Sequence, residues 1–447
     1  MTTEPVPRSR HMITAGSLVE LAVEVSTAAI SISQHLRSKS LNEPDFSSTS
    51  LGLPEDPEIQ DARESLLVAS KALTVLATDP LAHLREVFLA YAESSALRVA
   101  VEWKVAHILS ADGASMPISE LAEKAGADEH KLLTAMRLLA NSYVFAEVEP
   151  KVFAHNCSSI RLRERPIECF ITYCMDVVYH ASGKYSESMR KYGSSDKPNE
   201  TPFNLGLSTD KTFWEWVYEQ PELCERFNEC MKPMGESSYA RLRTVFPWKS
   251  LGDALLIDIG GGNGHITHQI AEEAPELRVM IQDLDQAIDE AKELCPDSLK
   301  PRFSYLVHNF FEIQPVVADV YFMRMVLHFL NDEDCIKVLQ CIVPAMKPGA
   351  RILIAESVFP PPGALPNPRH KYVINMSWIM ATLLNAKERT FEEFQKIFYA
   401  ADKRFELKQW GEPGGPPSSG KSSLQSTPLP QILEATLTNN DSSETKP

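Results

Sequence analysis

Apolar positions along the chain change their period near its middle. Over residues 17–36 they recur at helical spacing and set Leu18, Leu21, Ala22, Val25 and Ala29 in line. Residues 37–57, rich in Ser, Pro, Asn and Asp, read as a linker. A second amphipathic helix is expected over 58–78, with Ile59, Ala62, Leu66, Ala69 and Leu73 on one face, and Asp79-Pro80 opens a further helical stretch. From about residue 96 come a helix, SALRVAVEWKVAHIL, two shorter ones in PISELAEKAG and DEHKLLTAMRLLANSYV, and two short strands around Glu149-Pro150. Ser119 and Asp128 are candidate N-caps and Gly126 a candidate stop. Three helices and a β-wing form a winged-helix layout. Residues 165–245 read as mostly helical. From 253 to 410 strand and helix patterns alternate, which implies a parallel sheet covered by helices on both faces. FELKQW and ILEATL, separated by the Pro/Gly/Ser-rich stretch 411–431, are able to pair as a terminal antiparallel hairpin.

The expected organisation is an N-terminal helical extension (1–84), a winged-helix-like domain (85–165), a helical connector (166–245), an α/β doubly wound domain (246–438) and a disordered tail (439–447). A length of 447 residues accommodates two or three domains, and 44% apolar with 23% charged residues provides a large core. Composition narrows the function classes. Forty-four basic against sixty acidic residues leave a net charge of −16, which repels phosphate backbones. The third helix of the winged-helix unit carries only Lys131 and Arg137, offset by Asp128 and Glu129, so a structural or dimerisation role is expected there rather than DNA reading. No apolar run is long enough to span a membrane, and Glu20 and Glu24 interrupt any leader-like segment. The eight cysteines form no CxxC pair and none lies near His at zinc-ligand spacing. Free thiols, a cytoplasmic location and no metal site are therefore expected.

The segment ALLIDIGGGNGHITHQIAEEAP carries the most chemistry. A buried strand over 254–259 leads through Asp258, Gly260, Gly261, Gly262 and Gly264 into a helix, and glycines there allow φ > 0 and close approach of a ligand. About twenty residues on, Asp283 ends a second strand, where a carboxylate suits a ribose diol. A dinucleotide-binding oxidoreductase shares these features. Against it, the turn reads DxGGGNG rather than GxGxxG, and Asp258 would repel a pyrophosphate while suiting a cationic sulfonium.

These segments, followed by IQDLD, FFEIQPVVADVYFMRMVLHFLNDEDCIKVL, MKPGARILIAESVFP and KERTFEEF, resemble class I S-adenosylmethionine-dependent small-molecule O-methyltransferases. The plant caffeic-acid and flavonoid enzymes and their fungal natural-product branch belong to that family. The resemblance runs from about 85 to 437; residues 1–84 carry no motif of it. It implies a Rossmann-like methyltransferase domain behind a helical dimerisation domain, a homodimer, and a small hydroxylated acceptor with no nucleic-acid or membrane partner. It further implies that Gly260, Gly261 and Gly262 hold the methionine part of the cofactor, Asp283 its ribose, and Asn309 and Phe310 its adenine, with Arg324 nearby. His328 falls at the catalytic base, flanked by Glu356 and Glu388. Met175, Asp176, Tyr179, Trp378 and Met380 fall in the acceptor pocket. The chain departs from the family in reading Phe329-Leu330 after the base, where Asp-Trp or Asn-Trp is usual. A non-methylating member that keeps the cofactor and catalyses dehydration or a pericyclic reaction is the alternative. A cofactor-binding scaffold without turnover is a third reading.

Overall fold

A computed structural model describes residues 17–54, 56–359, 367–410 and 431–438. The Pro/Gly/Ser-rich stretch 411–430 and the tail expected to be disordered from 439 lie outside them. The described residues divide into two compact units, one running to Glu187 and including Pro202–Pro233, the other comprising Ser188–Thr201 and Met234 onward.

In the first unit, α1 (Leu18–Ser38) opens with a capping box, in which Ser17 Oγ accepts from Glu20 N and Glu20 Oε2 accepts from Ser17 N. Its buried stripe is Leu21, Ala28, Ile32 and Leu36, which shares only Leu21 with the expected one, and Leu18 is half exposed. Both stripes have helical period. The choice between them is made by Ile59 and α2 (Gln60–Ala77), against which Ile32 and Leu36 pack with Ala62 and Leu66. The next helix, α3 (Pro80–Glu102), is capped by Asp79 Oδ1 accepting from Leu81 N and Ala82 N. It runs unbroken through the boundary expected at 84/85, because nothing in it stops a helix before Lys104, which sits at φ 53°. Leu81, Leu84, Val87, Phe88, Leu89 and Tyr91 of α3 are all exposed.

The winged-helix layout is present. It comprises α4 (Val105–Ile108), β1 (Met116–Pro117), α5 (Ile118–Ala125), α6 (Glu129–Asn141), β2 (Phe145–Glu149) and β3 (Val152–His155), with sheet order β1-β3-β2. Asp128 caps α6 by accepting from Lys131 N, and Gly126 ends α5 at φ 67°. Ser119 does not cap α5. The helix starts two residues earlier than that cap would set it, with Pro117 at the N-cap, and the Ile118 N–H is taken by the Lys151 carbonyl of the wing. Arg137 is held by Glu147 at 2.9 Å, so the one arginine of α6 is already paired.

The second unit holds a seven-stranded sheet among the described residues, in the order β6-β5-β4-β7-β8-β10-β9. The strands are β4 (Leu255–Ile259), β5 (Arg278–Asp283), β6 (Phe303–Val307), β7 (Ala318–Arg324), β8 (Met346–Glu356), β9 (Phe405–Trp410) and β10 (Gln431–Leu437). The pairs from β6 across to β8 are parallel, and β10 lies antiparallel between β8 and β9, forming the expected terminal hairpin. Both faces are apolar, as a doubly covered sheet requires. Ile257, Ile259, Tyr321, Met323, Ile352 and Ile354 pack against helices Asp332–Ile342 and Phe391–Ala401. Leu256, Val279, Ile281, Val320 and Phe322 pack against helices His265–Glu273 and Asp285–Leu294. The chain leaves β4 toward β5 and β6, then crosses back to β7, so the strand order reverses between β4 and β7. Ligands of open α/β sheets bind at the carboxyl ends of the strands beside such a reversal. Among the described residues no single helix is long and apolar enough to cross a membrane; α2 and α3 meet the criterion only as a pair bent by 117°.

Candidate active site

The carboxyl edge of the sheet gathers most of the residues singled out from the sequence. Gly260 and Gly262 take φ 68° and 55°, and Gly260 N–H donates to the Gln282 carbonyl. A Cβ on Gly261 would lie 2.6 Å from Asp258 Oδ2, so the turn closes onto that carboxylate only because the residue is glycine. A Cβ on Gly262 would meet nothing within 4 Å, so its outer side is open. Asp283, the last residue of β5, accepts from Gly262 N (2.8 Å) and Leu284 N (2.7 Å), pinning the glycine turn to the neighbouring strand. Each oxygen keeps a second lone pair for a ligand hydroxyl. Asp258 lies within β4 rather than in the turn. It is buried, accepts from Thr267 Oγ1 at 2.9 Å, and burial pushes its pKa up to about 7. Arg324 ends β7. Burial brings its guanidinium down to about 10 against the pull of Asp258 and Glu356, and its Nε has no partner among the described residues. Asn309 follows β6 and spends Oδ1 on Phe311 N, leaving its amide N–H groups to a ligand, and the rings of Phe310 and Phe311 stand 4.8 Å apart.

Between β7 and helix Asp332–Ile342 the chain makes a tight turn, Leu327–Phe329, that carries His328. The imidazole is buried. Its Nδ1 faces Glu388 Oε1 at 3.0 Å, and because a carboxylate oxygen only accepts, Nδ1 carries the hydrogen. Nε2 is buried with no partner among the described residues. Burial lowers the His328 pKa, but the attraction of Glu388 and Glu356 outweighs it and the net shift is upward. Glu356 flanks the imidazole without a hydrogen bond to it among the described residues. Its Oε1 accepts from Val326 N (2.9 Å) and Leu327 N (2.8 Å), so it holds the backbone leading into the turn and contributes its field. It can do so because β7 and β8 are parallel neighbours, which sets the end of β8 beside the residues that follow β7. Burial and the nearby Glu388 raise the Glu356 pKa. His328, Glu356 and Glu388 offer ligand atoms within 4.8 Å of one another, a spacing that also meets the requirement for a cation.

Three residues that sequence reasoning passed over serve the same place. Arg389, next to Glu388, donates to the Leu327 and Leu330 carbonyls. Asn385 donates to the carbonyls of Ser195, Lys197 and Glu200, and Asn331 to that of Asp196, so Ser195–Glu200 is stitched to the residues just before Glu388 and just after the His328 turn. The one sequence signal for Arg389 was an arginine beside a buried carboxylate. Nothing local marked the asparagines.

The acceptor candidates separate. Trp378 and Met380 lie on helix Asn367–Leu384, whose Ser377 Oγ accepts from Glu388 N at 3.4 Å. Trp378 is 46% exposed and Met380 is buried. Met175, Asp176 and Tyr179 belong to the first unit. Met175 and Asp176 lie in a wide π-helical turn, Cys174–Val178, and Tyr179 begins the next turn. Asp176 is held by Arg98 through both carboxylate oxygens (2.8 and 3.2 Å). All eight cysteines are free.

A family model described as an O-methyltransferase domain matches residues 193–403. O-methyltransferase aoiF of Aspergillus oryzae is 30% identical over 375 residues, covering 81% of this chain and 88% of that protein. O-methyltransferase xanE of Aspergillus fumigatus is 29% identical, covering 94% and 98%. Among solved structures, OxaC in complex with SAH and oxaline superposes with a TM-score of 0.72 at 21% identity, covering 94% of this chain and all of that one. A structure titled a pericyclic reaction enzyme superposes at 0.70 and 21%, covering 93% and all of it. Likeness at that identity establishes the shared fold.

Proposed function

The chain belongs to the O-methyltransferase family, and on that premise we propose that it moves a methyl group from S-adenosylmethionine to a hydroxyl of a small aromatic or polyketide-type molecule, with His328 as general base. The observation that carries the proposal is the state of the His328 ring. Its Nδ1–H points to Glu388, and its Nε2 is buried without a partner among the described residues. That tautomer presents a lone pair to a hydroxyl, and burial keeps water from satisfying it.

The residues present fit S-adenosylmethionine. The open side of Gly262, the remaining lone pairs of Asp283, the free amide N–H groups of Asn309 and the unpartnered Nε of Arg324 all belong to the ends of β4 to β7. Asp258, beneath the turn, suits a cationic group nearby. When bound, the cofactor supplies an electrophilic methyl group. A phenol, with a pKa of about 10, is a weak nucleophile at neutral pH. His328 Nε2 takes its proton as the oxygen attacks, and Glu388 stabilises the imidazolium that results. Glu356 holds Val326 and Leu327 so that the ring does not drift from its place, which preserves the in-line geometry of the displacement. In the unit that carries His328, Trp378 and Met380 are proposed to receive the acceptor; an aromatic and an adaptable thioether side chain suit a flat ligand.

We further propose a cytoplasmic homodimer. The inner faces of α1 and α2 are consumed by each other, so the surface offered to a second copy is the exposed apolar stretch Leu81–Tyr91 of α3.

The test is incubation of the purified chain with methyl-labelled S-adenosylmethionine and a panel of phenolic polyketides. Label is expected in product, unchanged by EDTA, and His328→Ala should lose ~10²–10⁴-fold in kcat. Unlabelled, rearranged product would replace methyl transfer with the alternative chemistry. Loss of activity to EDTA would reassign the His328–Glu356–Glu388 group to a cation. A His328 variant keeping half its activity would move the base elsewhere.

A further inference from the structure

The turn that carries His328 is gripped from both ends by buried charge. Upstream, Glu356 takes the N–H groups of Val326 and Leu327. Downstream, Arg389 Nη1 donates to the Leu327 carbonyl (2.8 Å) and Nη2 to the Leu330 carbonyl (2.7 Å), while Nε donates to Asp332 Oδ1 (2.8 Å). The Arg389 side chain has no exposed surface. Leu327, the residue before the base, therefore has both its N–H and its C=O held by buried, oppositely charged side chains. The backbone just before them is strained: Met325 takes φ 52°. A non-glycine residue persists there only where its surroundings over-determine it.

Arg389 is also covalently next to Glu388. Its own carbonyl accepts from Phe359 N, and it bridges in parallel to Val358, two residues past Glu356. One short segment thus delivers the carboxylate that orients the imidazole and the cation that fixes the imidazole's backbone, and ties both to the strand bearing Glu356. Burying a guanidinium is costly, and an apolar side chain would fill the volume without that cost. What an apolar residue or a lysine lacks is the planar fork that reaches two carbonyls and a carboxylate together.

We propose that Arg389 is a positioning residue for the general base, fixing the place of the His328 ring against Glu388 by holding the carbonyls of Leu327 and Leu330. The proposal rests on the reading of His328 as base. Its experiment separates the two. The full-length enzyme, Arg389→Lys and Asp332→Asn are compared by melting temperature, S-adenosylhomocysteine affinity, kcat against pH well below melting, and the imidazole resonances of His328, assigned by their loss in His328→Gln. Asp332→Asn removes the half-exposed charge that anchors Nε, together with its ion pair to Lys387, and keeps the test available where the lysine variant does not fold.

In Arg389→Lys, kcat should fall at least tenfold with S-adenosylhomocysteine affinity within twofold. The acid limb of the profile should move to lower pH, because Glu388 raises the His328 pKa and a looser pair raises it less. The downfield Nδ1–H resonance should weaken, with Asp332→Asn in between. A lysine variant with reduced melting temperature but wild-type kcat, pH profile and His328 spectrum overturns the proposal and leaves Arg389 a purely structural clamp; in a lysine variant that does not fold, an unchanged profile and spectrum in Asp332→Asn does the same. Absence of methyl transfer in the wild type, with the Nδ1–H signal present and lost in Arg389→Lys, would instead retire the base reading while the clamp stands.

Discussion

Replacing Glu388 by Gln keeps the volume and removes the charge behind the imidazole. Glu388 Oε1 stands 3.0 Å from His328 Nδ1 and both side chains are buried, so solvent does not make good the loss. Two consequences add. A hydrogen bond to a charged group contributes about 1.5–3 kcal/mol, and as a rate that is roughly 10- to 150-fold. If the new amide turns its NH₂ toward the ring, Nδ1 must become the acceptor and the hydrogen moves to Nε2, where it blocks proton abstraction. The corresponding change in a Ser-His-Asp triad costs about 10⁴-fold. The expected fall in kcat is therefore ~10²–10⁴-fold. The pH profile carries an independent sign. Burial depresses the His328 pKa, and Glu388 and Glu356 lift it past its ordinary value. With Glu388 neutral one lift is gone, so the residual activity should have its acid limb at lower pH than the wild type. Labelled methyl transfer from pH 5 to 9, with S-adenosylhomocysteine affinity measured by calorimetry as a control, reads both. A kcat within threefold of wild type and an unmoved limb would refute the assignment of Glu388 as the group that orients and charges the base.

Burial lifts Asp258 to about 7, so it is largely protonated at pH 6 and ionised at pH 8; a cationic ligand selects the ionised form, and S-adenosylmethionine affinity should tighten by up to about tenfold across that interval. Calorimetry in buffers of differing ionisation enthalpy should show the released proton, and flat affinity would dismiss the contact. Asp283→Ala removes a ligand acceptor and also frees Gly262 N and Leu284 N, so S-adenosylhomocysteine binding should weaken by ~1.5–3 kcal/mol or more; unchanged affinity would remove Asp283 from the cofactor site. Phe88→Asp on the exposed face of α3 should convert a dimer to a monomer in sedimentation at micromolar concentration, and a wild-type monomer there would discard the dimer outright.

Sequence alone determined the parts of this protein that follow from local pattern. Apolar strand and helical patterns marked the strands that became β4 and β5, and Asp128 and Gly126 marked the ends of their helices, because caps and periodicity act within a few residues. The glycine turn was legible because close approach to Asp258 admits no side chain at Gly261. His328, Glu356 and Glu388 were identified through resemblance, yet their separate tasks were not. Whether a carboxylate meets an imidazole or a pair of backbone N–H groups depends on which strands are neighbours. Only the β7–β8 pairing set Glu356 beneath Val326 and Leu327. The same holds for the buried face of α1, where two stripes of equal period competed and α2 decided, and for Arg389, Asn331 and Asn385. Their partners stand up to 190 residues away in the chain, and no local pattern encodes contacts at that separation. Local sequence specifies which groups the chain offers; the order of strands in the sheet decides which of them meet.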